Sequence, residues 1–555
     1  MLTRAEATAV TMVTLPAAAI VLAYLGDAIG LTLHPLLILV LSLCVAAAVA
    51  GLLARSASSG EHALKDEGQE LFVFGGIVAL VAAWLLWLAW PSLLPIGRGS
   101  DLTHHLLLID YIDRTGALPQ DRTLVPYFGE MLDYTPGTHL LAVLAGRWTR
   151  SDGLHAVFGI IAVSVALKAG IVFLIALRCL PEAPSSARVP VALIAPLLLF
   201  LPRSFFLGSF VHDSFLAQVF AELFALAAWW AIVYWDHQSS SVAAAIVGGA
   251  GVATFLTWPV WIGPIVVTFV TIAMVRRDGA RRHLTIALVP IAAIALLHGV
   301  RHFSGTSIAG ATGFALIPTP AVTGWIFPIL GALGTLAAFR DRRARTVPVL
   351  LGAIALQAAA LTVVARVNRA EAPYLALKMF YLAIYPLAVA GAVGVAFVFR
   401  LDIARGFSRA DGARGFSRAL PWLPAALLLI PPLRLVATTP RPSPVVSNAL
   451  QDAGRWARLH VPPACVDYLV ADDDSAYWLH LVVLGNPRAT KRSLAAETFE
   501  PQKALVRWIL LGGLPYAIVG DIDALPRDIR TNVDVLAQFG PAAVIRRRGE
   551  SSCSQ

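Results

Sequence analysis

Three stretches of this 555-residue chain gather side chains that can move protons or neutralise anions. The first, residues 96–153, carries Asp101, His104, His105, Asp133 and Tyr134. Leu102, Leu106, Ile109 and Ile112 recur at helical spacing, so the pattern predicts a helix with Asp101 at its N-cap and His105 one turn later on the same face. A carboxylate partly buried beside a leucine-rich face can be poised as a general base, and its plainer use is a helix cap. His104 and His105 offer ligands for a divalent metal or an anion, but adjacent positions point about 100° apart on a helix, which matches no recognised metal site. Asp133 either orients a substrate hydroxyl or serves as an ordinary turn residue.

In the second stretch, 363–386, Arg366 and Arg369 flank a turn, and Tyr374, Lys378, Tyr381 and Tyr385 recur at i, i+4, i+7 and i+11. One helix face therefore presents phenols and an ammonium. The alternative is an aromatic belt with a snorkelling amine. The third stretch brings Arg203, His212 and Asp213 to a turn and then Gln218 and Glu222 into an apolar run, while Arg301 and His302 stand at another turn. A charge at the bilayer centre costs about 2.5–3.5 kcal/mol, so Glu222 and Lys168 must face protein or water, and each is the natural partner of the other.

These residues need a scaffold, and composition says which kind. The chain is 58% hydrophobic and 14% charged, far from the balance of a soluble domain. Its basic excess, 43 Lys plus Arg against 34 Asp plus Glu, gathers in short loops and not along one polar face, which argues against nucleic acid. A bilayer core asks for about 20 apolar residues per helix. Runs of suitable composition fall at 7–26, 34–53, 71–95, 154–177, 189–207, 215–235, 241–257, 260–275, 284–300, 320–339, 346–365, 377–399 and 420–437. The join at Trp258 and Pro259 is either a tight turn or a kink. Thirteen spans are therefore expected in a transmembrane domain over 1–437, the first of them a retained span and not a cleaved signal.

Arg276, Arg277, Arg281, Arg282, Arg340, Arg342, Arg343 and Arg345 then fall on one side, which the positive-inside bias makes cytoplasmic. Lys378, at the opposite boundary, runs against that bias. An odd span count delivers the C-terminus outside. A direct repeat, ARGFSRA at 404–410 and 413–419, reads as a flexible linker. Beyond a proline-rich hinge, 438–555 reads as a small soluble α/β domain, with helices expected at 447–459 and 523–538 and strands near 465–470, 515–519 and 542–545. Asp472, Asp473 and Asp474 there suit a solvated turn better than a calcium loop. Cys465 and Cys553 can form a disulfide in an oxidising compartment.

An Asp shortly after a span, paired His residues, an amphipathic helix, the turn Gly116-Ala117-Leu118-Pro119 and then Tyr134-x-Pro136-Gly137-x-His139-x-Leu141 together resemble the first outside loop of the GT-C superfamily. The likeness covers mainly 96–145. It implies a mainly α, polytopic membrane glycosyltransferase that takes a sugar from a polyprenyl-phosphate donor to an envelope glycan or glycolipid, with inversion, in a bacterial inner membrane. Asp101 would be the general base, Lys378, Arg369, Arg366 and Tyr381 the donor-phosphate ligands, and His104, His105, Asp133, Tyr134, His212 and Asp213 acceptor or orienting residues. The tail and composition would suit its arabinofuranosyl- and mannosyltransferase branches, neither of which is assigned. No cofactor is implied.

The sequence holds no Walker motif, HExxH or nucleophile elbow, which removes support for ATP-driven pumping and standard hydrolysis. The alternative is a transporter or lipid-linked glycan flippase with Lys168 and Glu222 along its path.

Overall fold

The computed structural model describes residues 2–55, 61–96, 100–181, 185–277, 280–302, 313, 315–370, 372–406, 422–470, 472–484, 506, 508–510 and 514–549. Among them, nine helices are long and apolar enough to cross a membrane, and four shorter apolar helices, Arg188–Leu198, Ser241–Thr257, Ile326–Ala338 and Trp422–Thr438, occupy the remaining expected positions. The architecture is thus mainly α, a multi-span bundle with a small C-terminal sheet.

Burial sorts the bundle. The apolar windows of Gly153–Cys179 and Leu216–Gln238 are 89% and 100% buried, so these helices form its centre, whereas Pro35–Ala54 and Glu67–Ala89, at 22% and 17%, turn most of their surface outward. Apolar helices that are lined by protein on all sides need no polar stripe. Trp258 marks a real break: one helix ends at Thr257, a 3-10 turn covers Pro259–Trp261, and a second helix runs Ile262–Arg276. Helix Tyr374–Gly406, which carries Lys378, packs on Ile326–Ala338 so closely that a Cβ on Gly334 would lie 1.7 Å from the Ala390 carbonyl oxygen. Only glycine allows that approach.

The loop and the tail sit at the same end of the bundle. Arg455 and Arg458 of the tail helix Asn448–His460 pair with Asp152 and Asp110 of the 96–153 stretch, and the Val445 amide donates to the Pro95 carbonyl at 3.2 Å. Burial disfavours the Asp152 carboxylate, but hydrogen bonds from His155 and Arg455 outweigh it and hold the group below the usual range.

In the tail, β1 (Val466–Leu469), β2 (Tyr516–Val519), β3 (Val533–Phe539) and β4 (Ala542–Arg547) form one sheet in the order β1-β2-β4-β3, parallel between β1 and β2 and antiparallel elsewhere. The helix expected over 523–538 is corrected: only Arg527–Thr531 is helical, and 533–539 is β3. Gly540, at φ +60°, lets the chain reverse into β4, and pairing with β4 overrides the local helical pattern. Asp472 accepts from the Ser475 amide at 2.8 Å and so caps the helix Asp473–Leu484. Cys465 is disulfide-bonded, while Cys44 and Cys179 are free. Cys553 and most of the ARGFSRA repeat lie outside the described residues.

Candidate active site

The loop helix runs Ser100–Thr115, two residues earlier than expected, so Asp101 lies in its first turn and not at its cap. An acid there is favoured by the helix dipole. The Asp101 side chain lies outside the described residues. Leu102, Leu106, Ile109 and Ile112 are all buried, as the spacing predicts, and they fasten the helix to the bundle.

His105, one turn beyond Asp101, is buried and its Nδ1 lies 2.9 Å from His139 Nε2. His139 belongs to helix Gly137–Trp148, which opens where Tyr134-x-Pro136-Gly137 turns the chain back into the bundle. That turn is seated by Thr135 Oγ1, which donates to the Thr257 carbonyl at 3.0 Å, and by Gly137, whose added Cβ would meet Thr257 Oγ1 at 2.7 Å. Tyr134 stands edge-on to both imidazoles, 5.5 Å from His105 and 5.8 Å from His139, and 5.8 Å from Trp258.

Trp258 connects this group to Lys378, whose Nζ lies 5.5 Å from its ring, 4.8 Å from Tyr374 and 3.4 Å from the centre of Phe215. Lys378 is only 2% exposed. Aromatic faces are a favourable, water-poor setting for an ammonium. Burial pushes both imidazoles toward their neutral forms: His139 falls to about 3, partly offset by the Pro136 carbonyl, and His105 falls well below its ordinary value, helped by His139, His104 and the Lys378 charge. Lys378 therefore lies near an imidazole pair that burial holds toward its neutral form.

Two other expected residues attach to the same neighbourhood. Asp133 pairs with Arg122 at 2.9 Å and stands 4.0 Å from His302 Nδ1. Tyr381 is fully buried, packed on Phe205 and Phe215 at 4.9 and 5.8 Å, and its hydroxyl accepts from the Leu316 amide at 3.4 Å. Asp213 lies just before Phe215 in the chain and is half-buried, while His212 is exposed. Arg366 and Arg369 are exposed, at the last turn of Thr346–Val367 and just past it, and the structure shows neither in the aromatic cluster. Arg301 is engaged elsewhere, donating to Asp27 at 2.7 Å. Among the described residues, no group of three or more His, Cys, Asp or Glu is placed to hold a metal ion.

Farther along the Tyr374 helix, the Tyr385 hydroxyl donates to Glu222 Oε2 at 2.5 Å, and Lys168 Nζ reaches the same oxygen at 2.6 Å. The expected Lys168–Glu222 partnership is present and fully buried. Sequence reasoning missed Trp258 and Phe215 as walls. Trp258 had a signal, since an aromatic residue before proline interrupted two apolar runs; Phe215 had none.

Fold and site define a polytopic helical membrane protein with a cationic, aromatic-walled cluster at the end of the bundle where loop and tail dock. No family model and no curated protein sequence matches the chain. Among solved structures, it is similar to the archaeal oligosaccharyltransferase AglB from Archaeoglobus fulgidus in complex with an inhibitory peptide and a dolichol-phosphate, at 16% identity and TM-score 0.48, covering 81% of this chain and 70% of that one. It is also similar to ArnT from Cupriavidus metallidurans in the apo state, at 16% identity and TM-score 0.44, covering 85% and 98%.

Proposed function

We propose that the protein is a membrane glycosyltransferase that moves a sugar from a polyprenyl-phosphate donor to a glycan or glycolipid acceptor at the face of the membrane where the loop and tail meet. The observation that carries the reading is the convergence of the Asp101 helix and Lys378: His105, one turn from Asp101, shares its aromatic surroundings with the Lys378 ammonium. Asp101 takes the proton from the acceptor hydroxyl as its oxygen attacks the anomeric carbon, and the bond to the lipid phosphate breaks with inversion. Lys378 neutralises the departing phosphate, a role suited to a preorganised cation in a dry site. The neutral pair His105–His139 holds the loop helix and adds no competing cation. The face is the extracytoplasmic one under the positive-inside reading, and the donor's chain lies in the bilayer.

The flippase alternative asks Lys168 and Glu222 to line a path. Their mutual ion pair and lack of exposure give it less support.

The test is transfer in native membranes with a panel of radiolabelled polyprenyl-phosphate sugars. Asp101→Asn should lower turnover by about 10²–10⁴-fold, the usual contribution of a general base. Full activity in that variant would remove Asp101 from the chemistry.

A further inference from the structure

A cavity of about 590 Å³ lies away from the aromatic cluster, where the beginning of helix Arg4–Ala28 meets the ends of Gly153–Cys179, Leu216–Gln238 and Ile262–Arg276. Gly153 is next to the docked tail, and Arg178 closes the same helix, so a rise of 1.5 Å per residue puts the cavity about 40 Å away, at the opposite end of the bundle. Its walls carry Arg178, Arg188, Arg276, Arg342 and Arg343 against Glu6, Glu70, Asp236 and Asp341.

The acids are partly spoken for. Glu6 is held by Arg178 and by the Trp230 indole, and Asp236 by Arg345 from outside the lining. Arg188 and Arg342 are different. Arg188 gives Nη2 to the Leu177 carbonyl at 2.7 Å, but its buried Nε has no hydrogen-bond partner. Arg342 is exposed and makes no ion pair among the described residues. An unsatisfied guanidinium N–H beside a polar void is costly, and a fork of donors suits a phosphate oxygen best.

The helices that lead into the cavity add a second property. Met274 and Val275 just before Arg276, and Leu336 and Phe339 just before Asp341, are exposed at 69%, 60%, 64% and 69%. Apolar side chains at a span boundary face acyl chains, so a lipid can lie along them with its headgroup turned into the arginines.

We propose that this cavity is a binding site for the phosphate of an anionic phospholipid from the leaflet opposite the transfer site, with Arg188 and Arg342 as its principal ligands. The site is distinct from the proposed donor site and independent of the transfer chemistry.

The experiment uses full-length protein in neutral detergent and follows its thermal midpoint against dioctanoyl-phosphatidylglycerol, dioctanoyl-phosphatidylcholine and inorganic phosphate. Phosphatidylglycerol should raise the midpoint saturably, the other two should not, and Arg188→Gln with Arg342→Gln should weaken its apparent affinity about tenfold or more. Arg342→Gln alone, at an exposed side chain, should fold normally and show part of that loss. Equal stabilisation by inorganic phosphate would overturn the lipid as ligand. Equal stabilisation by phosphatidylcholine, or unchanged affinity in Arg342→Gln and the double variant, would overturn the site.

Discussion

The Lys378 ammonium stands 3.4 Å from the centre of the Phe215 ring, although 162 positions separate the two in sequence. That contact ties the turn after His212 and Asp213 to the Tyr374 helix, and Trp258 extends the wall to the loop that carries Asp101. An ammonium so placed is poor in water and rich in π-electron density, the setting that the proposed phosphate role asks for.

Replacing Lys378 with Met keeps the apolar stem and removes the charge. The variant should raise KM for the lipid-phosphate donor by about tenfold or more while leaving acceptor KM within a factor of about two, as expected when one charge-assisted hydrogen bond is lost. Initial-rate measurements with donor and acceptor varied separately check this. Equal effects on both substrates would argue against phosphate contact.

The His105–His139 pair makes stability fall in acid. Both folded-state values lie below the unfolded 6.5, His139 at about 3, so the unfolded chain binds more protons between these limits and stability declines as pH drops below about 6.5. Each imidazole contributes a slope of up to about 1.4 kcal/mol per pH unit. Thermal midpoints from pH 7.5 to 4 should show a shallower decline in His139→Asn than in the native protein; identical slopes would clear the pair of this role.

Tail docking is ionic and should respond to salt. Arg455→Gln with Arg458→Gln removes the pairs to Asp152 and Asp110, worth roughly 0.5–1 kcal/mol each at partly exposed sites. Limited proteolysis should cut the 439–445 hinge faster in the double variant, and raised ionic strength should speed cleavage of the native protein more than of the variant. The depressed Asp152 carboxylate contributes stability above about 3.8 that is lost as pH falls toward its folded-state value.

The Lys168–Glu222–Tyr385 junction should tolerate joint removal better than single removal. Lys168→Met leaves a buried carboxylate unpaired and should cost about 3–5 kcal/mol, whereas Lys168→Met with Glu222→Gln should recover a large part of that loss. Denaturation in mild detergent measures both. Additive losses in the double variant would show that the two groups do not act as a pair.

Much of the scaffold was legible because the bilayer simplifies the code. A span must satisfy its own backbone, so run length and apolarity alone locate it, and the helices at 4–28, 35–54 and 346–367 fall where hydropathy puts them. The loop helix was equally plain, since Leu102 through Ile112 repeat with its period. The segment 533–539 was not, because a strand that pairs with a neighbour can carry a helical pattern when its partner is not yet known.

The sequence by itself determined where the apolar spans and the loop helix fall, that His105 and Lys378 lie on helices, and the partnership of two charges that a membrane interior cannot leave alone. Only the tertiary structure decided that Phe215, Trp258, Tyr374 and Tyr134 wall one cluster, that His139 meets His105, and that Arg366 and Arg369 stand apart from it. Periodicity and hydropathy are local properties. Which helix faces meet depends on close approaches such as Gly334 to Ala390 and Gly137 to Thr257, whose partners are distant in the chain.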